Sequence, residues 1–294
     1  MHRSGFIALI GRPNVGKSTL LNALVGEKVA IISDRPQTTR NQIRAILTRP
    51  ESQIIFIDTP GLHKPKHLLG ASMVQIARTT MQEVDLICFL VEANETPGPG
   101  DRYIAEILHS VRSPQFLILN KIDLISPEKL AANSELYRKL SSFEAQFALS
   151  ALKKIDLNPF VKAILEHLPE GPQFYPPDMI TDQPERFIAA EIIREKIIAL
   201  TRQEIPFSIA VVIEEMKPRE NGNLLDIRAE IFVERKSQVG IIVGRGGLLL
   251  KDVGIKTRQE LEALFGQHIF LDLRVKVKRD WRNREDELHR LGYR

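Results

Sequence analysis

The feature that most constrains the fold of this 294-residue chain is a glycine-rich loop that directly follows an apolar run near the N-terminus. Residues 6–10 predict a strand, and the loop after it has the spacing Gly11-x4-Gly16-Lys17-Ser18. In this context the backbone N–H groups of such a loop point inward around phosphates, and the following helix adds its positive N-terminal end. The lysine can reach the terminal phosphates, while the hydroxyl offers Mg2+ a hard oxygen ligand. The sequence therefore predicts a phosphate-binding loop between a strand and a helix.

Apolar runs alternate with amphipathic stretches over the first 170 residues. Strands are predicted at 6–10, 44–48, 54–58, 86–91, 115–119 and 146–149, and helices at 17–25, 70–82, 100–110, 127–142 and 158–168. This alternation indicates an α/β domain with a mostly parallel sheet and helices on both faces. Ligands of such sheets bind at the carboxyl ends of the strands. The proline-rich, aperiodic stretch 171–183 is expected to be a linker after a domain at 1–170.

The pattern changes beyond the linker, which indicates a second domain at 184–294. Residues 184–203 form a helical pattern, strands are predicted at 207–215 and 224–234, and a last strand at 269–278. Two helical stretches flank Gly244 to Gly247. The order helix, strand, strand, helix, helix, strand predicts an α+β domain.

The net charge of the chain is +4, but the positive charge is concentrated near the C-terminus. Residues 235–284 carry 12 basic and five acidic side chains, a net charge of +7. Such a region is a candidate surface for a polyanion, with an ordinary solvated surface as the alternative. The single cysteine, Cys88, lies in an apolar run and is expected to be a buried thiol. No membrane-spanning run and no secretory signal pattern are present, so a soluble, non-secreted protein is expected.

Two further motifs indicate which nucleotide the loop binds. Asp58 ends an apolar strand, where it can hold Mg2+ through water, and Gly61 follows with an N–H that can meet a γ-phosphate. The sequence Asn120-Lys121-Ile122-Asp123 follows another strand. The Asp123 carboxylate can accept hydrogen bonds from N1–H and the N2 amino group of guanine, while Asn120 faces the N7 edge. Adenine lacks both of those donors and would leave the carboxylate unpaired, which predicts GTP over ATP.

The remaining base contacts are expected from Lys121 and from a Ser-Ala pair. Lys121 is expected to lay its methylene stem along the base. Ser150 and Ala151 end the strand at 146–149, where the N–H of Ala151 could meet the guanine O6. The pair is a weak signal by itself, but it occurs in order with the other motifs.

With these motifs in order, residues 6–168 resemble the GTP-binding domain of the translation-factor-like GTPase class. The resemblance implies that 35–40 is the first switch segment and that Thr39, in preference to Thr38, binds Mg2+; an exposed turn is the alternative. Leu62 stands where signalling GTPases have a water-orienting glutamine, which implies slow intrinsic hydrolysis. The resemblance also implies a K+ ligand at Asn14, with a loop-stabilising side chain as the alternative. His63 is interpreted as incidental.

These interpretations define the expected nucleotide site. The expected catalytic residues are Lys17, Thr39, Gly61 and Asn14, and the expected Mg2+ ligands are Ser18, Thr39 and Asp58. The residues expected to bind GTP are Gly11, Asn14, Val15, Gly16, Lys17, Ser18, Thr19, Asp58, Gly61, Asn120, Lys121, Asp123, Ser150 and Ala151.

The C-terminal domain contains a GxxG loop, Gly244-Arg245-Gly246-Gly247, between helical stretches. Chance alone supplies about one GxxG at this glycine content, so the context carries the interpretation. The flanking helices and strands are similar to a KH module of type II, whose loop clamps the backbone of single-stranded nucleic acid. The residues expected to bind RNA are Gly244, Arg245, Gly246, Gly247, Lys251, Arg274, Lys276 and Lys278. Trp281 and Phe270 could stack on bases, with core packing as the alternative.

A GTPase domain followed by a KH module resembles one bacterial family of GTPases over nearly the whole chain. That resemblance implies a GTP-hydrolysing switch that binds small-subunit (16S) ribosomal RNA near its 3′ end and assists assembly of the small ribosomal subunit. It also implies Mg2+, a cytoplasmic location with peripheral contact at the inner membrane, and a monomer. Two alternatives remain open: a P-loop enzyme acting on a small phosphate acceptor, and a GTPase whose C-terminal domain docks on a protein or membrane.

Overall fold

The computed structural model describes residues 2–35, 37–201, 205–219 and 224–293. It divides into two compact units, the first comprising most of residues 2–182 and the second most of residues 183–293. Pro36 in the predicted switch segment and residues 202–203 of the predicted helix 184–203 lie outside the described residues.

The first unit is built on a six-stranded sheet. Its strands are β1 (Arg3–Gly11), β2 (Ile43–Arg49), β3 (Ser52–Asp58), β4 (Leu86–Glu92), β5 (Gln115–Asn120) and β6 (Ala145–Ala148). The order across the sheet is β2-β3-β1-β4-β5-β6, and every pairing is parallel except that of β2 with β3. Strands β3 and β5 are buried at every position, because helices cover both faces of a parallel sheet. The predicted mostly parallel sheet is confirmed.

Five helices accompany these strands in the described part of the first unit. They are α1 (Lys17–Val25), α2 (Leu68–Gln82), α3 (Pro99–Leu108), α4 (Pro127–Arg138) and α5 (Leu157–His167). Cys88 on β4 is fully buried, as predicted, and burial raises the pKa of its thiol.

Strand register brings the ends of four strands to one edge of this sheet. Leu9 of β1 lies opposite Asp58, the last residue of β3. On the other side Gly11 pairs with Leu90 of β4, and Asn120 pairs with Glu92. All of these strands run in the same direction, so the loops that leave them meet at their carboxyl ends.

The stretch expected to be a linker packs along the first unit up to Asp182. The buried Gln53 side chain accepts hydrogen bonds from the N–H groups of Phe174 and Tyr175 (2.8 and 2.9 Å) and donates to the Tyr175 carbonyl (2.9 Å). Further along, the N–H of Ile46 on β2 donates to the carbonyl of Ile180 (2.9 Å). Backbone groups outside regular structure still need partners, and here β2 and β3 supply them. The domain limits 170 and 184 stay predictions.

The second unit combines a three-stranded sheet with five helices in its described residues. In chain order these are α6 (Glu185–Leu200), α7 (Ile205–Ser208), β7 (Ala210–Pro218), β8 (Leu224–Val233), α8 (Lys236–Val243), α9 (Leu248–Phe265), β9 (His268–Val277) and α10 (Glu285–Arg290). Strand β8 lies in the centre, antiparallel to β7 and parallel to β9. The predicted order of the main elements is confirmed. The strand predicted from residue 207 begins at Ala210, because α7 intervenes and Pro206 favours a helix start.

The structure places Trp281 in the core of the second unit, so the packing alternative holds for this ring. Trp281 is fully buried, donates a hydrogen bond from Nε1 to the Ser208 carbonyl (3.0 Å) and stacks on Tyr293 with ring centroids 5.6 Å apart. Phe270, in contrast, is 51% exposed. Among the described residues, no helix has the length and apolar character needed to cross a membrane.

We predict that Gln53→Ala loosens the 171–182 segment. The substitution removes the partners of two backbone N–H groups and one carbonyl, and we expect it to lower the free energy of unfolding by about 2 kcal/mol. Chymotrypsin should then cut faster after Phe174, which limited proteolysis with mass spectrometry can measure. Gln146→Ala, at an exposed position on β6, is the control. Equal cleavage rates in the two variants would contradict the anchoring role of Gln53.

Candidate functional site

The phosphate-binding loop connects β1 to α1 at the carboxyl edge of the sheet. Asn14 and Gly16 have left-handed backbone conformations, with φ of 68° and 99°. A Cβ on Gly16 would lie 2.2 Å from Nδ2 of Asn120, so this position needs glycine for conformation and for space. Lys17 is the first residue of α1, and Thr19 follows in the first turn.

The ammonium group of Lys17 lies inside the loop. Its Nζ donates to the carbonyls of Arg12 (2.9 Å) and Gly11 (3.3 Å). Burial lowers the pKa of Lys17 to about 8, against the opposing effect of the Asp58 carboxylate. The lysine is therefore held by loop carbonyls and by one buried acid.

Ser18, Thr39 and Asp58, the three expected Mg2+ ligands, converge in the structure. The fully buried Asp58 accepts hydrogen bonds at Oδ2 from Ser18 Oγ (2.6 Å) and Thr39 Oγ1 (3.1 Å), and the two hydroxyls are 3.0 Å apart. Burial raises the pKa of Asp58, while Lys17 and the two hydroxyls oppose that rise. The other carboxylate oxygen, Oδ1, is buried and has no hydrogen-bond partner in the described part of the chain. Two hydroxyls and one carboxylate form a hard-oxygen donor set of the kind that Mg2+ uses together with phosphates and water.

The segment after Asp58 packs tightly on the phosphate-binding loop. A Cβ on Gly61 would lie 2.6 Å from the backbone nitrogen of Pro13, and the N–H of Leu62 donates to the Gly11 carbonyl (3.2 Å). Leu62 is 1% exposed and belongs to the core. Its side chain therefore cannot hold a water molecule, in agreement with the sequence interpretation.

His63 has more contacts than the sequence indicated. Its Nδ1 lies 2.9 Å from the Gly61 carbonyl, and its Nε2 lies 2.9 Å from Nε2 of Gln37. The imidazole thus bridges residues of the two predicted switch segments. A single histidine in a loop carries no sequence signal for such a bridge.

Asn120 occupies the centre of the expected base site, where it connects two loops. It is 2% exposed, its Nδ2 donates to the Val15 carbonyl (2.9 Å), and its Oδ1 accepts from the N–H of Ala151 (2.9 Å). Both ends of this amide are thus bonded to the protein. The predicted contacts of Asn120 with N7 and of the Ala151 N–H with O6 stay predictions.

Asp123 and Lys121 flank this amide. Asp123 is exposed, and its Oδ1 accepts a hydrogen bond from Ser150 Oγ (2.5 Å). Lys121 has a left-handed backbone (φ 67°), and its Nζ lies 2.9 Å from a carboxylate oxygen of Glu92. The serine thus orients the carboxylate, and Glu92 orients the lysine.

In the second unit, the predicted RNA-binding loop is a tight turn between α8 and α9. Gly244, Gly246 and Gly247 all have positive φ, of 75°, 61° and 80°. A Cβ on Gly244 would collide with Leu249, whereas Cβ atoms on Gly246 and Gly247 would meet no atom within 4 Å. The last two glycines therefore form an open backbone surface, and Arg245, which precedes them, is exposed.

A cleft of about 420 Å3 begins at this loop and runs between α9 and β9. Its apolar floor includes Ile269 and Leu271, and its lining includes Lys251, Arg258 and Phe270. The Phe270 ring is exposed, and the guanidinium of Arg219 lies over it, 5.0 Å from the ring centroid. The sequence interpretation did not single out Arg258. Its spacing of seven residues from Lys251 places both on one face of α9, and that periodicity could have revealed it.

The cations of β9 differ from those of the cleft. Arg274 pairs with Asp272 (3.0 Å), Lys276 with Glu230, and Lys278 with Glu287. Among the described residues, Arg245, Lys251 and Arg258 form no ion pair. The three strand residues expected to bind RNA therefore lie in a charge-balanced face, and the structure does not bring Lys276 or Lys278 into the lining of the cleft.

Comparisons with known proteins agree with the two domains. Residues 6–121 match the family described as "50S ribosome-binding GTPase", and residues 204–282 match the family described as "KH domain". The chain is similar to GTPase Era of Alkaliphilus metalliredigens (strain QYMF), with 51% identity over 292 residues that cover 99% of each protein.

Two solved structures are similar over the same extent. A substituted Era of Aquifex aeolicus bound to GDP.AlF4- superposes with a TM-score of 0.96, at 43% identity and 99% coverage of both chains. Era in complex with MgGDPNP and nucleotides 1506–1542 of 16S ribosomal RNA superposes with a TM-score of 0.97, at 44% identity, covering 100% of this chain and 99% of the other. Identity at this level over the full length shows that the chain belongs to the Era family of GTPases, with a P-loop GTPase domain followed by a KH domain.

Proposed function

We propose that this GTPase is a nucleotide-dependent switch that binds small-subunit (16S) ribosomal RNA near its 3′ end through its KH domain and assists assembly of the small ribosomal subunit. The observation that carries the RNA part is the cleft beside the open glycine turn, lined by Lys251 and Arg258, two cations that form no ion pair among the described residues. The similar Era that was solved with MgGDPNP and a 16S ribosomal RNA fragment supports the choice of RNA and of Mg2+.

In the GTPase domain, the proposed roles follow from geometry. Lys17 is set to contact the terminal phosphates, and the inward-facing loop around it accepts their oxygens. Mg2+ bound at Ser18, Thr39 and Asp58 would neutralise developing negative charge on the phosphates. Thr39 would then link the first switch segment to the nucleotide state, and Gly61 would link the second.

Hydrolysis without a partner is proposed to be slow. Leu62 is buried and has no polar group for a water molecule. A K+ ion at Asn14 is part of the proposal: its left-handed backbone lies within the phosphate-binding loop, and its amide oxygen is a ligand suited to K+. The proposed location is the cytoplasm. Peripheral membrane contact, action as a monomer and the binding of the whole small subunit stay predictions.

In the KH domain, the proposed RNA path starts at the glycine turn and follows the cleft. Phosphates can approach the open backbone of Gly246 and Gly247, because no other atom lies close to that surface. Arg245 at the turn and Lys251 and Arg258 in the cleft then supply positive charge. The exposed Phe270 ring, which the Arg219 guanidinium also contacts, is the candidate for stacking on a base.

We predict that Asp123→Asn transfers nucleotide preference from GTP to xanthosine triphosphate. The amide NH2 can donate to the C2 carbonyl of xanthine, whereas in GTP it would face the N2 amino group, so that two donors meet and both stay unsatisfied. Because unsatisfied polar groups are costly, we expect GTP affinity to fall by roughly 100-fold or more. Titration calorimetry with GTP, xanthosine triphosphate and ATP measures the change.

Asp156→Asn is the matched control for this change, since Asp156 is exposed in the same region and its left-handed backbone suits asparagine. It should keep GTP preference. Unchanged GTP affinity in Asp123→Asn, or tighter binding of ATP than GTP by the unsubstituted protein, would overturn the assignment of Asp123.

We also predict that Gly246→Asp weakens RNA binding far more than Gly246→Asn. Both side chains have the same shape, both residue types tolerate positive φ, and neither meets an atom at its Cβ. The aspartate alone adds a negative charge beside the RNA phosphates. We expect about a tenfold difference in Kd between the variants at low salt, measured by fluorescence anisotropy with a 16S 3′-end oligonucleotide. Equal affinities would favour the alternative in which this domain docks on a protein or membrane.

The cations of the cleft and the cations of β9 are predicted to respond differently to substitution. Lys251→Ala and Arg258→Ala should each weaken RNA binding and reduce the slope of log K against log salt concentration by about 0.7, the value for one single-strand phosphate contact. Lys276→Ala should change the slope little, because Lys276 is neutralised by Glu230. A larger effect at Lys276 than at Lys251 would place the RNA on the strand face instead of the cleft.

A further inference from the structure

The side chain of Arg12, in the phosphate-binding loop, points toward the start of α3. Its Nε lies 2.9 Å from Oδ1 of Asp101, and its Nη2 lies 2.6 Å from a carboxylate oxygen of Glu95. The two acids differ in burial, since the Asp101 side chain is 0% exposed and that of Glu95 is 47% exposed. Arg12 thus pairs with one fully buried charge and one that water screens.

Asp101 is itself fixed by the helix that carries it. Its Oδ2 accepts a hydrogen bond from the N–H of Gly98 (2.9 Å), the residue that precedes α3. Negative charge in the first turn of a helix is favourable, because the N–H groups there are positive. Asp101 Oδ2 therefore binds the N–H at the start of α3, and Oδ1 lies beside Arg12.

The stem of Arg12 lies directly against the backbone of the same helix. A Cβ placed on Gly100 would approach Cδ of Arg12 to 2.8 Å and Cγ to 3.3 Å. The arginine is thus positioned by charge at its head and by close packing along its stem.

This arrangement continues to the catalytic lysine. The Arg12 carbonyl accepts the shorter of the two hydrogen bonds that Lys17 Nζ makes to the loop. The packed stem and the paired head of Arg12 restrain its Cα, and this limits how far the carbonyl attached to the same Cα can move. Asp101 is connected to Lys17 through Arg12, although it contacts neither the lysine nor any predicted nucleotide-binding residue.

We propose that Asp101 is a positioning residue for nucleotide binding, which acts through Arg12 to hold the phosphate-binding loop and Lys17 in place. Glu95 assists at the exposed end of the same arginine. The role concerns the nucleotide site of this GTPase and is independent of RNA binding. Its test therefore gives no information about the proposed function of the KH domain, and the reverse also holds.

A double-mutant cycle in the full-length chain tests the proposal. We expect Asp101→Asn to weaken GDP and GTP binding about tenfold, a coupling within the range measured for residues in contact. Arg12→Leu should have a similar effect, and the double variant should be no weaker than the worse single variant. Stopped-flow binding of fluorescent GDP and GTP turnover at saturating substrate measure affinity and kcat separately.

Asp85→Asn is the control, since Asp85 also bonds the backbone, at the N–H of Phe6 (2.7 Å) on β1, five residues before the loop begins at Gly11. We expect it to lower the melting temperature without changing nucleotide affinity. If Asp101→Asn likewise lowers only the melting temperature, or if its effect adds to that of Arg12→Leu, Asp101 is merely structural and the proposal is overturned.

A second variant keeps the test decisive if Asp101→Asn does not fold. Gly100→Ala keeps all charges and favours the helix, but its methyl group would displace the Arg12 stem. We expect the same loss of nucleotide affinity at an unchanged or higher melting temperature. Unaltered affinity in Gly100→Ala would show that the position of Arg12 does not matter to the loop.

Discussion

The buried amide of Asn120 holds the nucleotide site together. It donates to the Val15 carbonyl in the phosphate-binding loop and accepts from the N–H of Ala151 beyond β6. These loops are separated by more than a hundred residues and are adjacent only because β1, β4 and β5 run in parallel. A buried amide with both ends bonded leaves no low-energy alternative for either loop, since any shift leaves a polar group unpaired. Preorganisation of the phosphate and base sites therefore depends on a residue of the sheet edge.

The same loop is confined on its other sides by close backbone contacts. Pro13 lies against Gly61, and the Arg12 stem lies against Gly100. The site is therefore rigid where it meets the sheet and α3, while Thr39 approaches it from a loop. This division suits a switch, because a nucleotide can change the position of Thr39 without changing the scaffold that binds it.

Most of the fold and the nucleotide site could be predicted from the sequence, because motifs with fixed spacing at strand ends specify both local conformation and place. Ser18 and Asp58 illustrate this, since parallel register brings the ends of β1 and β3 together, whereas Thr39 lies in a loop and is expected only from the resemblance. The hydrogen-bonded bridge through His63 and the ion pair of Arg12 with Asp101 could not be predicted. Side-chain contacts between segments far apart in the sequence leave no periodic signal. Trp281 remained ambiguous for a similar reason: its burial depends on Ser208 and Tyr293, which the chain brings near only after folding.

The basic C-terminal region shows why net charge alone does not locate a binding surface. The excess of +7 over residues 235–284 counts Lys276 and Arg258 alike. In the folded domain Lys276 is compensated by Glu230, which lies on β8 and outside that region of the sequence, whereas Arg258 lines an open cleft. A phosphate gains most from a cation that has no competing carboxylate, because counterion release then has no offsetting loss of an existing ion pair. The charge count of the sequence therefore identifies the domain that binds a polyanion. The ion pairs in the structure identify which surface of that domain has cations available for it.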